Sequence, residues 1–244
     1  MRFKIQINHR AAVCLLLTGL AAQAWGADRY LIGPATLQAR ASVPKSLVEK
    51  VNPKGWVLYT QSYGIREEIC EIFLAKDAAR QAPVSRSRKT PYSDLQEGTL
   101  VGVIHLFPEA TEDYSADSHD QTLKPGYYTM RYAVMAAGTY ENGTRPGDFL
   151  VLCPIRMDPD PNRLLTTAEL SRFGSATSGT DVPATMELVV PQPGHGQIPS
   201  VRIDDTNMAI FQAQLPLASK SGHSVTQFPL AIGLVTPLHG PEGS

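Results

Sequence analysis

Residues 123–134 read LKPGYYTMRYAV, and this stretch decides the fold class. Its first four letters form a turn signature, because proline presets the backbone for a turn and glycine accepts conformations that other residues avoid. The next residues alternate between two faces, with Tyr128, Met130 and Tyr132 on one and Tyr127, Thr129 and Arg131 on the other. A period of two predicts a β-strand that follows directly on a tight turn.

The same pattern recurs outward on both sides of this stretch. Runs of β-branched, aromatic and aliphatic residues, bounded by Gly, Pro, Asn and Asp, predict strands at 56–60, 67–74, 99–107, 127–134, 148–154, 184–190, 200–203, 209–217 and 225–235. The run at 67–74 carries apolar residues on both faces, so we expect it to be buried on both. Short strands without helical alternation predict an all-β fold, an antiparallel β-sandwich of jelly-roll type with one short helix.

That helix is predicted to begin after Thr166 and to end near Gly174. Thr166 and Glu169 have the spacing of a capping box, in which each side chain bonds the backbone N–H of the other residue. The DPDPN stretch at 158–162, taken with Glu169, also has the D-x-D-x-N…E spacing of a calcium-binding EF-hand loop. Arg163 stands where that loop requires glycine, so the sequence favours the helix cap over calcium.

The N-terminus has the three parts of a secretion signal. Arg2, Lys4 and Arg10 supply positive charge without an acid, 11–22 are apolar, and small residues follow at 22–26. The apolar run is about a dozen residues, whereas a membrane-spanning helix needs ~20. The sequence therefore predicts a signal peptide over 1–26, cleaved between Ala24 and Gly26. The mature chain, 27–244, is predicted to form one domain in the periplasm or outside the cell.

Cys14 lies within the predicted signal and raises the question of a lipid anchor. Val13 precedes it, where a lipid-attachment motif requires a small residue, so we expect a released protein. No second long apolar stretch follows, and no membrane span is expected in the mature chain.

Composition excludes several functional classes. The hydrophobic fraction of 43% can build a core, and the net charge of -1 gives no basic surface for nucleic acid. Arg80, Arg86, Arg88 and Lys89 form one local basic cluster, which we interpret as a solvated loop. The chain carries no P-loop, dinucleotide fingerprint, H-E-x-x-H or G-x-S-x-G motif, and no catalytic residue is predicted.

Cys70 and Cys153 are the cysteines that remain after cleavage of the signal. In an oxidising compartment such a pair predicts a disulfide, here between two strands. The bond would close a loop of about 80 residues, worth ~4 kcal/mol in the chain-entropy model. Two buried thiols are the alternative.

An acidic loop follows His105 and suggests a metal site. It contains Glu109, Glu112, Asp113, Asp117, His119 and Asp120. Carboxylate oxygens suit calcium, whereas imidazoles suit zinc or another transition metal. The candidate metal ligands are His105, Asp113, Asp117, His119 and Asp120. Their spacing matches no defined motif, and a solvated loop is the alternative. No other cofactor is predicted.

Three stretches resemble a pattern found in an uncharacterised group of secreted bacterial proteins. They are LKPGYYTMRY at 123–132, DFLVLCP at 148–154 and SGTDVPA at 178–184, against KPG-x-YTLRY, DFLLL-x-P and SGT-x-x-PA. The resemblance extends to 71–74 and 229–234 and so spans most of the mature chain. It implies a secreted β-sandwich protein and carries no activity with it.

The sequence thus favours a non-catalytic binding or structural module that presents loops from one end of a sandwich. Its partner would be a protein or a small molecule of unknown identity. The alternatives are a metal-binding protein that uses the acidic loop, and a hydrolase without a recognisable motif. A binding module predicts an exposed aromatic patch, for which Tyr114, Tyr127 and Tyr140 are candidates.

Overall fold

Eleven strands and two helices are present in the part of the chain that the computed structural model describes. The described residues are 29–37, 42–62, 65–80, 90–108, 114–115, 121, 123–134, 147–192, 198–206, 208–218 and 225–237. The elements are β1 (Arg29–Thr36), α1 (Lys45–Lys50), β2 (Lys54–Ser62), β3 (Ile65–Leu74), β4 (Leu100–Leu106), β5 (Tyr114–Ser115), β6 (Gly126–Val134), β7 (Asp148–Pro154), α2 (Thr167–Ser178), β8 (Thr185–Glu187), β9 (Ser200–Ile203), β10 (Ala209–Ala218) and β11 (Val225–Pro237). The predicted signal at 1–26 lies outside these residues.

The strands form two antiparallel sheets. The large sheet has the order β1-β2-β3-β4-β6-β7-β8, and the small sheet has the order β5-β11-β10-β9. The two sheets meet at one side, where Leu188 bridges Ile232 and the Val189 N–H donates to the Ala231 carbonyl. At the other side β9 lies beside β1. The fold is therefore all-β with a sandwich of two sheets, as the sequence predicts.

The main core fills the space between the two sheets. Met130 and Tyr132 of the large sheet and Phe211 and Ile232 of the small sheet belong to it, and all four are buried. Residues of β6 alternate as predicted, since Tyr128, Met130 and Tyr132 face this core. Each large apolar side chain buried here contributes roughly 1.5–3 kcal/mol, so the core between the two sheets is a major source of stability.

The outer face of the large sheet is covered by three elements in turn. Helix α1 packs Leu47 against a cluster that includes Phe73 and Val103. Helix α2 packs Leu170 and Phe173 against β7. Between them runs the covering segment, defined here as residues 155–165. Both faces of the large sheet are thus buried over most of its area, which explains why residues 69–74 of β3, apart from the half-buried Glu71, are buried on both sides.

All nine predicted strands are present, but the prediction missed two strands and one helix. Strand β1 contains Gly33 and Pro34, which indicate a turn. Proline is tolerated here because β1 is an edge strand, paired with β2 alone among the strands that the structure describes. Helix α1 has six residues and Pro44 at its N-cap with no capping side chain, so it lacks a start signal. Helix α2 continues past Gly174 to Gly179, whose φ of 74° ends it.

The predicted disulfide between Cys70 and Cys153 is wrong, because both cysteines are free and buried. Cys70 lies on β3 and Cys153 on β7, with β4 and β6 between them. Neighbouring strands are ~4.8 Å apart, so the two thiols are separated by ~14 Å across the sheet. Cys70 belongs to the core between the sheets, whereas Cys153 lies under α2 on the outer face. A disulfide requires Cβ atoms ~4 Å apart.

Both thiols are expected to resist alkylation in the folded protein. Burial raises the pKa of the Cys70 thiol. Burial, and to a smaller extent the nearby Asp158 carboxylate, raises the pKa of the Cys153 thiol. The thiolate is the reactive form, so neither cysteine should react with iodoacetamide at mildly alkaline pH. Mass spectrometry should find both residues modified after unfolding in guanidinium without a reductant. If the two cysteines of the unfolded protein stay unmodified until a reductant is added, they are joined in a disulfide, and that result would contradict the structure.

Candidate functional site

Three residues on neighbouring strands form a row on the outer face of the large sheet. Glu71 on β3 is paired in register with His105 on β4, and His105 is paired with Tyr127 on β6. Directly paired residues in an antiparallel sheet share one face, so their side chains lie side by side. The row is close to the end of β4, from which the chain continues through Phe107 into the acidic loop. We call Glu71, His105, Phe107 and Tyr127 the His105 cluster.

The imidazole of His105 is held by both of its neighbours. Its Nδ1 lies 3.1 Å from Oε2 of Glu71. An ionised carboxylate only accepts hydrogen bonds, so the imidazole form with a proton on Nδ1 is the one that can donate to it. The imidazole stacks on the Tyr127 ring at 4.1 Å with an interplanar angle of 8°, and it meets the Phe107 ring edge-on at 4.5 Å. The cluster therefore combines ring surfaces with a histidine that is oriented by a carboxylate.

The His105 cluster is partly accessible and is bordered by apolar side chains. The side chains of His105 and Glu71 are 13% and 14% exposed, and Phe107 and Tyr127 are half-buried. Beside them on the same face of the sheet lie Val57, Phe73 and Val103, which are buried. Polar groups in such surroundings form stronger hydrogen bonds than they would in bulk water. The cluster can contact a ligand through ring carbons, the imidazole and a carboxylate.

The predicted metal site is only partly within the described residues. His105 lies in the His105 cluster, while Asp113, Asp117, His119 and Asp120 lie outside the described residues, as do Glu109 and Glu112. Within the part that is described, no group of three or more His, Cys, Asp or Glu side chains is placed to hold a metal ion. The metal site therefore stays a prediction, and the observed partner of His105 is Glu71.

The other surface features named from the sequence are placed as follows. Tyr127 is half-buried in the His105 cluster, whereas Tyr140 and the Tyr114 side chain lie outside what is described. Arg80 forms an ion pair of 2.5 Å with Asp94. Arg86, Arg88 and Lys89 lie outside the described residues.

A second polar group lies under the covering segment and is completely buried. Arg131 on β6 and Asp158 in the segment form a bidentate ion pair, with Nε–Oδ2 and Nη2–Oδ1 distances of 2.7 Å each. Their side chains are 0% and 1% exposed. The Thr129 hydroxyl also donates to Asp158 at 2.5 Å.

The remaining donors of Arg131 bind main-chain carbonyls. Nη1 donates to the carbonyls of Gly98 and Arg163, and Nη2 donates to the carbonyl of Asp160. All five guanidinium N–H groups are therefore used. A group that is sealed from solvent and fully bonded has no capacity for a ligand, so this ion pair holds the covering segment onto the sheet.

The calcium interpretation of 158–169 fails for the same reason. The Asp158 carboxylate is taken by Arg131, and the Asp160 carboxylate accepts the Asn162 N–H at 3.0 Å. Glu169 completes the capping box with Thr166, as the sequence favours, and also pairs with Arg163. The acidic side chains of this segment therefore organise the chain itself.

Sequence reasoning missed Glu71 and the partner of Arg131. Glu71 interrupts the apolar run EICEIFL, and Arg131 interrupts the apolar positions of β6. A charged residue inside a strand that is buried on both faces must find a partner. That rule signals that partners exist, but it does not identify Asp158 or His105 without the strand register.

Comparisons of the chain with protein-family models, with curated proteins and with solved structures each found no match. Among the described residues, neither helix is long and apolar enough to cross a membrane. The functional argument therefore depends on the geometry of the chain itself.

Proposed function

We propose that the protein is an exported, non-catalytic binding module of the secreted bacterial group that it resembles, and that its ligand contacts the His105 cluster. The observation that carries this proposal is the row Glu71–His105–Tyr127, in which polar groups and rings remain partly accessible on a face that is covered over most of its area. Binding sites commonly combine apolar or aromatic lining with a few fixed polar groups.

The other buried polar groups support a binding role over a catalytic one. Arg131 and Asp158 are sealed under the covering segment, and burial raises the pKa of both free thiols. A nucleophile or general base must reach its substrate, and these groups lie in closed contacts. His105 is the titratable group that combines partial exposure with an orienting carboxylate, and its ring is engaged by stacking.

The proposal predicts that ligand binding perturbs the His105 cluster. Isotope-labelled mature protein would be titrated, with NMR detection, against three probes: a neutral oligosaccharide, a basic peptide and an acidic peptide. We expect one probe to shift the side-chain signals of His105 and Tyr127. Replacement of His105 by Gln (H105Q) should lower the affinity for that probe at least about tenfold, because it removes the stacked ring. A tenfold change in affinity corresponds to roughly 1.4 kcal/mol of binding free energy.

Asp205→Asn serves as the matched control, because Asp205 is exposed in the turn between β9 and β10. That variant should bind the probe like the wild type, and thermal unfolding should show that both variants are folded. Unchanged affinity in H105Q, or no shift of the cluster with any of the three probes, would contradict the proposed site.

A further inference from the structure

Within the part of the chain that the structure describes, one edge of β3 is unpaired at the end beside the His105 cluster. Strand β3 pairs with β2 from Ile65 to Ile72. On its other edge, β4 pairs with it only between Cys70 and Leu74, and the Phe107 N–H adds one bond to the Ile69 carbonyl. Among the described strands, none pairs with that edge of residues 65–68. Outward-pointing N–H and C=O groups along about 13 Å of strand are therefore available to another chain.

The side chains along this edge are exposed on both faces of the sheet. Ile65 is 65% exposed, and Arg66, Glu67 and Glu68 are exposed as well. Successive side chains of a strand point to opposite faces, so Glu67 and Glu68 present one carboxylate on each. Tyr59, the register partner of Glu68, adds a half-buried ring beside one of them.

We infer that the edge Ile65–Glu68 is a strand-addition site for an extended basic peptide. In such pairing the main-chain hydrogen bonds supply affinity and the alternating side chains supply specificity. Lysine or arginine at successive positions of the added strand would meet Glu67 on one face and Glu68 on the other. Opposite charges on paired strands stabilise, and like charges destabilise. A cationic side chain next to Glu68 would also reach the Tyr59 ring.

The charges favour a basic strand over a second copy of this chain as the occupant. A self-pairing centred on Glu67 sets that carboxylate directly against its own copy, and this repulsion is offset in part because Arg66 of each copy then lies opposite Glu68 of the other. A basic strand can place a cation opposite both carboxylates without that direct repulsion, whereas an acidic strand would be repelled by Glu67 and Glu68. The inference rests on the proposed function only in treating the protein as a binding module, since the edge and the His105 cluster are separate surfaces.

The test uses fluorescent peptides in which pairs of adjacent lysines alternate with pairs of valines, so that both faces of the added strand carry lysine. They are titrated into the mature protein, and binding is measured by fluorescence anisotropy. We expect saturable binding that weakens as salt is raised, because exposed ion pairs are screened. A peptide with glutamate in place of lysine should bind at least about tenfold more weakly. A lysine peptide with N-methylated amides at consecutive positions, which blocks both of its edges, should lose binding because it cannot complete the main-chain ladder. Equal binding of the methylated peptide would overturn strand addition.

Charge reversal at the edge provides the second arm. Glu67→Lys combined with Glu68→Lys should abolish binding of the lysine peptide and permit binding of the glutamate peptide. Glu49→Lys, on an exposed site of α1, is the control and should bind like the wild type. Retained binding of the lysine peptide in the double variant would refute the site. Concentration-dependent dimerisation that the double variant abolishes would assign the edge to a second copy and refute the peptide.

The two proposals fail separately. Edge binding with no change at His105 would support this inference and remove the His105 cluster as the site of that peptide. If a probe shifts the NMR signals of His105 and the double variant still binds the lysine peptide, the His105 cluster is supported as a binding site and the edge is rejected.

Discussion

Asp158→Ala is expected to destabilise the protein by about 3–5 kcal/mol, because it leaves the Arg131 guanidinium buried and without a counter-charge. The carbonyls that bind Nη1 and Nη2 would remain, but they carry no full negative charge to offset the desolvation of Arg131. The Thr129 hydroxyl would also lose its acceptor. Urea unfolding followed by tryptophan fluorescence measures the loss of unfolding free energy.

Two further variants separate the buried charge from the general effect of truncation. Asp160→Ala removes a neighbouring carboxylate that caps Asn162 but keeps the carbonyl that Arg131 uses, so it should cost about 0.5–1.5 kcal/mol. Arg131→Met with Asp158→Leu removes both charges and should recover much of the loss, since apolar replacements of buried pairs are often neutral. A loss for Asp158→Ala no larger than that for Asp160→Ala would contradict a buried, essential ion pair.

Strand positions were predictable because their signal is local. Alternation in β6 and the two-sided apolar run of β3 depend only on neighbouring residues. The alternation is confirmed. The burial predicted for 67–74 is confirmed for residues 69–74 apart from the half-buried Glu71, whereas Glu67 and Glu68 are exposed. The capping box of Thr166 and Glu169 is equally local and is also confirmed. Helix α1 has no capping side chain, and its stability comes from packing Leu47 onto the sheet, which no local pattern reports.

From the sequence it was predictable that buried charged side chains have partners, but not which residues those partners are. The strand order places β4 and β6 between Cys70 and Cys153, and that order is a non-local property, so the expected disulfide failed. The pairing of Glu71 with His105 likewise depends on the register of β3 and β4. His105 was predicted as a metal ligand, which stays a prediction, and its observed partner Glu71 lies on the preceding strand and not in the loop that follows.

Gly98→Ala is the second substitution with a large expected effect. Gly98 has a φ of 80°, which costs a residue with a side chain about 1–2 kcal/mol. An added Cβ would also overlap the Leu165 carbonyl oxygen and lie 2.6 Å from its nitrogen. Main-chain atoms cannot rotate away, so the covering segment would have to move. Such overpacking costs about a further 1–3 kcal/mol.

Gly179→Ala is the matched control, because Gly179 has nearly the same φ, 74°, and an added Cβ there meets nothing within 4 Å. It should be destabilised only by the conformational cost of the positive φ. The difference in unfolding free energy between the two variants therefore measures the effect of the close approach of Gly98 to Leu165. The Gly98 carbonyl also accepts from Arg131 and from the Leu165 N–H. Movement of the segment would therefore weaken the contacts of the ion pair as well. Combining Gly98→Ala with Asp158→Ala should then cost less than the two separate losses together, whereas strict additivity would show that the two contacts act independently.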